Sequence, residues 1–221
     1  MELLLFIFPL LSFLLFQFFN QKIRSEILYA FNIFLFGLSF LLSSYIFIKI
    51  LNLENDLPLF FYTFIKFENL SIDWKLRFDL LVSSLAVLVT FVGFLITAYS
   101  INLSKNNVIN FKINSYLPLS IFGLLVLISS NNLIQFFLGW YIIILSSYFI
   151  SNISKNKIGI RNVFFENRIS DLCFFLSLYF IYTTSNSINF DVIFKSFQII
   201  ESKMTILNIN FSSFQIVIFI L

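Results

Sequence analysis

An all-α polytopic membrane protein with about seven transmembrane helices is the fold class this sequence predicts, on three observations. Apolar residues fill 59% of its 221 positions and charged residues only 11%, where soluble domains run at roughly 45–50% and about 25%. Mean hydropathy is +0.95. The apolar residues also lie in continuous runs, close to the ~20 residues a helix needs to cross a hydrocarbon core about 30 Å thick.

Seven such runs stand between polar breaks: 3–19, 27–51, 80–103, 116–130, 133–153, 169–184 and 204–221. The opening "MELLLFIFPLLSFLLFQFFN" carries Glu2 in place of a basic leader. It reads as a retained first span and not as a signal peptide. Helix is preferred over barrel strand because no run alternates for long. Phe and Ile favour strands in water, but in lipid each segment must satisfy its own backbone. The chain then divides into two N-terminal spans at 1–51, an outer-face segment at 52–79 and spans three to seven at 80–221. Within 52–79, "LPLFFYTFIKF" and "LSIDWKLRF" suit either a small surface hairpin or an irregular amphipathic loop.

Lysine and arginine set the orientation. Connections one, three and five carry Lys22, Arg24, Lys105, Lys112, Lys155, Lys157, Arg161 and Arg168, and connections two, four and six carry Lys66, Lys75, Arg77, Lys195 and Lys203. The first set is expected on the cytoplasmic or matrix side.

Composition excludes whole classes of function. There is no His, so His-based metal sites and Ser-His or Cys-His catalysis are out. A single cysteine, Cys173, leaves no disulfide within the chain. Five Gly residues form no phosphate loop, and the net charge of +3 lacks the basic block that nucleic acid needs. No catalytic, metal or cofactor site is expected.

The chemistry that remains is concentrated in "NVFFENRISDLCFF", residues 162–175, where Glu166, Arg168 and Asp171 interrupt an apolar stretch. Arg168 and Asp171 are three apart and share a face if the helix starts before them. Ionisable groups in a span usually face a bundle interior or a water-filled path. One reading is a relay or switchable ion pair. The other is interfacial anchoring, with Asp171 near a helix N-terminus and favoured by its dipole. Lys49 reads as a snorkelling anchor. Tyr141, Ser146, Ser147 and Tyr148 place hydroxyls in the fifth span, where such groups bond within the helix or to a neighbour. Trp74 suits an interface and Trp140 a position between helices. Cys173 reads as a small packing residue.

Three stretches, in order, carry a family resemblance: "SIDWKLRFDLL" (71–81), "LISSNNLIQFFLGWYIIILSSYFI" (127–150) and "FFENRISDLCFFLSLYF" (164–180). Together they resemble subunit 5 of respiratory NADH:ubiquinone oxidoreductase, complex I, whose versions read W-x-L-R-x-D, then D-N-L-x-x-x-F-L-G-W-E, then N-R-x-G-D. The resemblance implies a proton-translocating membrane-arm subunit that binds no NADH, flavin or iron–sulfur cluster itself. It implies a fold of about fourteen helices with two inverted repeats and coupling residues near the midplane. This chain then supplies a partial antiporter-like bundle: the N-terminal helices and half of the first repeat. Its partners would be other membrane-arm subunits, lipid and a separate chain completing subunit 5. Phe, Ile, Asn, Leu and Tyr dominance suits an AT-rich organellar genome, hence the mitochondrial inner membrane.

Departures from the family pattern matter. The family Glu after "FLGW" falls on Tyr141, the Asp of "DN" on Asn131, the Gly of "NRxGD" on Ser170 and a Lys on Asn162, next to Arg161. Tyr141, with a reference pKa near 10, is left with its hydroxyl as a relay. Arg168 and Asp171 match the retained family pair. Two readings follow: a half-channel conducting through hydroxyls, water and Asp171, or one that has lost conduction and persists as scaffold. A cation/proton antiporter subunit, sharing ancestry with the family, is the rival of another class.

Overall fold

The structure is a computed structural model that describes residues 2–19, 25–53, 57–67, 70–104, 108–153, 157–199, 203–206 and 209–212. Its elements run α1 (Glu2–Phe19), α2 (Ser25–Leu53), β1 (Leu57–Phe67), β2 (Leu70–Phe78), α3 (Leu80–Ser104), α4 (Val108–Ile128), α5 (Leu133–Ile153), α6 (Lys157–Ser185), α7 (Phe190–Ile199), β3 (Lys203–Ile206) and β4 (Ile209–Ser212). Among the described residues four helices, α1, α2, α3 and α5, are long and apolar enough to cross a membrane. The chain is a multi-pass, all-α membrane protein.

Many small and polar residues are buried between the helices while many large apolar ones are exposed. On α2 the buried positions Tyr29, Asn32, Phe36, Ser39, Ser43, Ile46 and Ile50 lie alternately three and four apart, with Leu28 buried beside them. On α3 Ser83, Ala86, Thr90, Gly93, Thr97 and Ser100 repeat this spacing, with Val82 also buried. A seam repeating every 3.5 residues keeps two helices in contact along their length, and α2 packs on α3. Outward on these helices stand Phe34, Leu41, Ile48, Leu81, Leu88 and Leu95. Water would reverse this distribution. Lipid does not, because burying an apolar side chain gains little where the solvent is itself hydrocarbon, and close packing of small residues wins.

Buried hydroxyls are mostly satisfied by their own helix. Thr90 donates to the Ala86 carbonyl at 2.8 Å and Thr97 to that of Gly93 at 3.0 Å. Other bonds cross between helices: Ser43 and Thr90 lie 2.8 Å apart, Ser12 of α1 donates to Asn32 of α2, and Asn114 Nδ2 of α4 donates to the Tyr29 hydroxyl of α2 at 3.5 Å.

Helix α4 is central, touching α1, α3 and α5. Its approach to α5 is the tightest. A Cβ on Gly139 would stand 2.6 Å from Leu127 N and 2.8 Å from Leu127 Cα, and one on Gly123 would stand 3.1 Å from the Gly139 carbonyl oxygen. Glycine is required here by backbone proximity.

One end of the bundle gathers the second, fourth and sixth connections, as up-and-down spans require. Strands β1 and β2 pair antiparallel, from Leu57↔Phe78 to Phe67↔Leu70, with irregularities between Phe60 and Tyr62 and between Thr63 and Ile65. Strand β2 docks through Leu76 and Phe78, both buried, with Phe78 edge-on to Phe6 of α1. Arg77 N–H donates to Ser129 O at 3.0 Å, and its guanidinium reaches Asp191 Oδ1 at 2.9 Å and Asp79 Oδ2 at 3.5 Å. Asp79 also caps α3, accepting from Val82 N–H at 2.7 Å, the bond that satisfies an orphan donor of the first turn. At this end too, Lys49 Nζ is 3.7 Å from Glu2 Oε1. The residue read as a snorkelling anchor is therefore paired.

Three boundaries differ from the sequence expectation. Helices α4 and α6 begin at Val108 and Lys157 instead of at 116 and 169. Backbone hydrogen bonding does not stop where hydrocarbon stops, and before the α6 run Lys157, Arg161 and Glu166 are good helix formers. The expected seventh span at 204–221 is not a helix in its described part. Residues 203–206 and 209–212 pair as a hairpin, Lys203↔Ser212 to Ile206↔Ile209, while 213–221 lie outside the described residues. "INFS" alternates apolar with polar, a strand pattern, which counting apolar residues overlooks. The seventh helix is instead α7, ten residues and about 15 Å long, too short to span. It follows a turn where Asn186 takes φ 51°, the left-handed cap that Asn tolerates.

Candidate functional site

Helices α5 and α6 form an antiparallel pair cemented by rings. Phe137 meets Phe174 at 4.9 Å and Phe175 at 4.8 Å between centroids, and Tyr148 meets Phe164 at 6.4 Å toward the other end. Between these contacts the register sets Tyr141 opposite Arg168. The Arg168 guanidinium carbon lies 5.5 Å from the Tyr141 ring centroid and 5.3 Å from that of Phe164. Arg168 Nη2 is 2.8 Å from Asp171 Oδ2. All three residues singled out in the sequence, Arg168, Asp171 and Tyr141, thus meet in one cluster.

Depth distinguishes the two readings of the pair. Helix α6 starts at Lys157, about three turns before Arg168, and a dipole acts within the first turn. Asp171 is therefore no helix-terminal anion, and the dipole does not account for it. Helix α5 is 21 residues long, about 31 Å. Tyr141 lies about 12 Å along it, so the cluster stands more than a third of the way across the span.

Asp171 is 6% exposed, while the Arg168 side chain is 39% exposed. Arg168 Nε and both Asp171 carboxylate oxygens are buried without a hydrogen-bond partner. The 2.8 Å contact is thus an ionic approach that lacks hydrogen-bond alignment. Buried ions need such bonds to offset desolvation, so the pair is electrostatically closed but chemically under-satisfied.

The other sequence candidates fall away from this cluster. Glu166 is exposed and Cys173 half-buried. Ser146 and Ser147 donate to the carbonyls of Ile143 and Ile144, each at 2.8 Å. Trp140 is 42% exposed and so faces outward instead of packing between helices: it follows Gly139, and α5 meets α4 through Gly139, Ile142 and Ile143. Asn162 belongs to α6, its side chain outside the described residues. Among the described residues no three Cys, Asp or Glu side chains converge on a metal position.

Sequence reasoning missed three contributors. Phe164 reads as one of many Phe residues, and only its i,i+4 relation to Arg168 could have marked it. Asn132 caps α5, its Oδ1 accepting from Gln135 N–H at 2.7 Å. Asn followed by Gln three residues on is a helix-start signature that was legible in "NNLIQ". Gln135 itself is 1% exposed, with both amide atoms unpartnered. The turn also binds α7: Leu133 N–H donates to Ile188 O and Phe190 N–H to Asn131 O, each at 3.2 Å.

Residues 64–102 match the family model described as the N-terminus of chain 5 of NADH-ubiquinone oxidoreductase, complex I, and residues 130–220 match that of the transmembrane part of NADH:quinone oxidoreductase/Mrp antiporter. Among similar proteins, chain 5 from Chondrus crispus is 28% identical over 92% of this chain and 31% of its own length. NADH-quinone oxidoreductase subunit L from Rickettsia typhi is 30% identical over 71% and 24%. Chain 5 from Acanthamoeba castellanii is 32% identical over 65% and 22%. The chain therefore spans between a fifth and a third of the length of these relatives. A chain in the structure of the membrane-bound sulfane sulfur reductase, an archaeal respiratory membrane complex, superposes with a TM-score of 0.70 at 18% identity, covering 86% of this chain and 38% of that one, which shows a shared fold. With two family models in chain order and relatives of a single kind, the chain belongs to the family of complex I chain 5 and its bacterial counterpart subunit L, of which it represents the N-terminal part.

Proposed function

We propose that the chain serves in the membrane arm of a proton-translocating NADH:ubiquinone oxidoreductase of the mitochondrial inner membrane. It carries no redox group of its own, and its half-channel around Arg168, Asp171 and Tyr141 is degenerate. Its partners are other membrane-arm subunits and a separate chain supplying the rest of the subunit 5 fold.

The observation that carries this reading is the ion pair more than a third of the way across α5, faced on the α5 side by a ring. A proton path needs a group that gives up and regains a proton, with donors and acceptors leading to it. Arg168 and Asp171 answer each other's charge at 2.8 Å. The α5 side adds Tyr141, where a carboxylate would bring a second acid. No described hydrogen-bonded chain leads to Asp171. The pair suits a fixed charge within an assembly whose other subunits move protons.

Asp171→Asn in membranes holding the intact complex tests this. Protons moved per electron pair should stay at the parent value while the complex becomes less stable to heat. A lowered ratio in a complex that still assembles puts Asp171 in the proton path and defeats the degenerate reading. The antiporter alternative is favoured only by the second family model, whose description includes Mrp antiporters. Purification separates the two, since the reading above requires NADH dehydrogenase activity to travel with the chain.

A further inference from the structure

We propose that Tyr141 acts through the face of its ring and not through its hydroxyl: with Phe164 it clamps the Arg168 guanidinium from two sides and so positions it on Asp171. The proposal deepens the reading of the pair as a fixed charge and rests on it. Three observations support it. The two centroid distances, 5.5 Å and 5.3 Å, both lie within the ~6 Å at which a ring's quadrupole attracts a cation. The two rings come from different helices, so the clamp also ties α6 to α5. Arg168 Nε is buried with no acceptor. The guanidinium is thus held by aromatic faces and one carboxylate, and not by a ring of edge-on hydrogen bonds as Arg usually is.

Among the described residues the Tyr141 hydroxyl has no hydrogen-bond partner, so its ring is the part in use. Phe137 extends the arrangement, stacked at 6.1 Å on Tyr141 and at 4.9 Å on Phe174. Phe137 thereby links the Tyr141 ring to Phe174 of α6. Tyr141 and Phe164 are positioning residues in this arrangement. They keep a cation at one place in the span whether or not any proton passes.

The test uses the intact complex carrying Tyr141→Phe, Tyr141→Leu or Phe164→Leu, and Tyr141→Leu combined with Arg168→Gln. Two quantities are read: the temperature at which this chain leaves the complex, and protons moved per electron pair. Tyr141→Phe should match the parent in both. Tyr141→Leu and Phe164→Leu should each lower the release temperature by about 2–4 °C, and Tyr141→Leu should add nothing to Arg168→Gln. Equal losses for Tyr141→Phe and Tyr141→Leu would assign the role to the hydroxyl and overturn the clamp. So would a parent-like Phe164→Leu, or a full Tyr141→Leu loss on top of Arg168→Gln. A Tyr141→Phe complex with normal release temperature and a lowered proton ratio also overturns it, in favour of a hydroxyl relay. The Phe164→Leu arm keeps the test decisive if Arg168→Gln does not assemble. Asp171→Asn reports separately on the degenerate half-channel, so either idea can fail without the other.

Discussion

Gly139→Ala should loosen the α4–α5 pair more than any other single methyl added to a described glycine. The added Cβ would stand 2.6, 2.8 and 2.9 Å from the N, Cα and Cβ of Leu127. Ordinary contact begins near 3.4 Å, so the helices must part by about 0.8 Å. Neither Leu127 N nor Cα can swing aside. A gap of 0.5–1 Å forfeits a quarter to a half of each dispersion contact along the seam, and overpacking of this kind costs about 1–3 kcal/mol. Because the obstacle is backbone, a loss of about 3 kcal/mol is expected. Gly93→Ala is the control. Its Cβ also meets an atom at 2.6 Å, but that atom is Ile121 Cδ1, and the next are Phe36 ring atoms at 3.1 and 3.2 Å. Side-chain tips can turn, so about 1 kcal/mol is expected. The assay is the fraction of chain retained in the complex after graded heating, resolved on a native gel. Equal losses for the two variants, or a parent-like Gly139→Ala, would refute the argument that backbone proximity decides.

Asn132→Ala removes the α5 cap and should cost about 1 kcal/mol, read in the same assay, while Asn132→Asp retains it. Ser43→Ala deletes the hydrogen bond to Thr90 and should cost about 0.6–1.5 kcal/mol, the range for polar contacts between membrane helices; a loss above 3 kcal/mol would mean that packing had been disturbed. Asp191→Asn weakens a pair in which both side chains are more than a third exposed, so a loss under 1 kcal/mol that vanishes at high salt is expected. Asp171→Asn leaves Arg168 uncompensated and should cost about 3 kcal/mol, low in the range for a broken buried pair because Arg168 is part exposed. Replacing both, as Arg168→Met with Asp171→Leu, should restore thermal stability to within about 1 kcal/mol of the parent.

What could be read in advance followed from how local the cause is. The α5 limits, 133–153, agree with the structure because a polar cap at Asn132 coincides with the start of the apolar run. The limits of α6 do not, because its first three turns carry charge, and hydropathy measures affinity for lipid while the helix follows backbone bonding. The Arg168–Asp171 pair was visible from its i,i+3 spacing alone. Tyr141 entered as one of several hydroxyls in the fifth span, and through resemblance as a position where a carboxylate is missing. Its true neighbour lies across a helix pair whose register is set by Phe136, Phe137 and Phe174, and nothing local encodes that. Gly139 reads as part of a motif, yet its reason is the backbone of Leu127, twelve residues away and on another helix.

The polar interior of this bundle falls into two kinds, and the difference bears on function. Ser39, Ser43, Thr90, Thr97 and Ser100 are short and neutral and lean on carbonyls of their own helices, so they let helices approach closely at little cost. Arg168 and Asp171 are charged, and Arg168 Nε and both Asp171 carboxylate oxygens are left without hydrogen bonds. A pair in that state contributes little net stability, because its Coulombic attraction is spent offsetting desolvation, and well-packed Met and Leu would hold α5 to α6 as firmly. Packing therefore explains the hydroxyls and does not explain the ions. The other described ion pairs, Glu2–Lys49 and Arg77 with Asp79 and Asp191, sit at the end of the bundle, where water or headgroups share the load. Only the α6 pair lies well inside the span, held under two rings. Its contribution is then one of position: a fixed charge pair that, under the rings of Tyr141 and Phe164, holds α6 to α5 in one register. If the Met–Leu replacement lowered the proton ratio in a complex of parent stability, the reading of the pair as a fixed charge outside the proton path would fail.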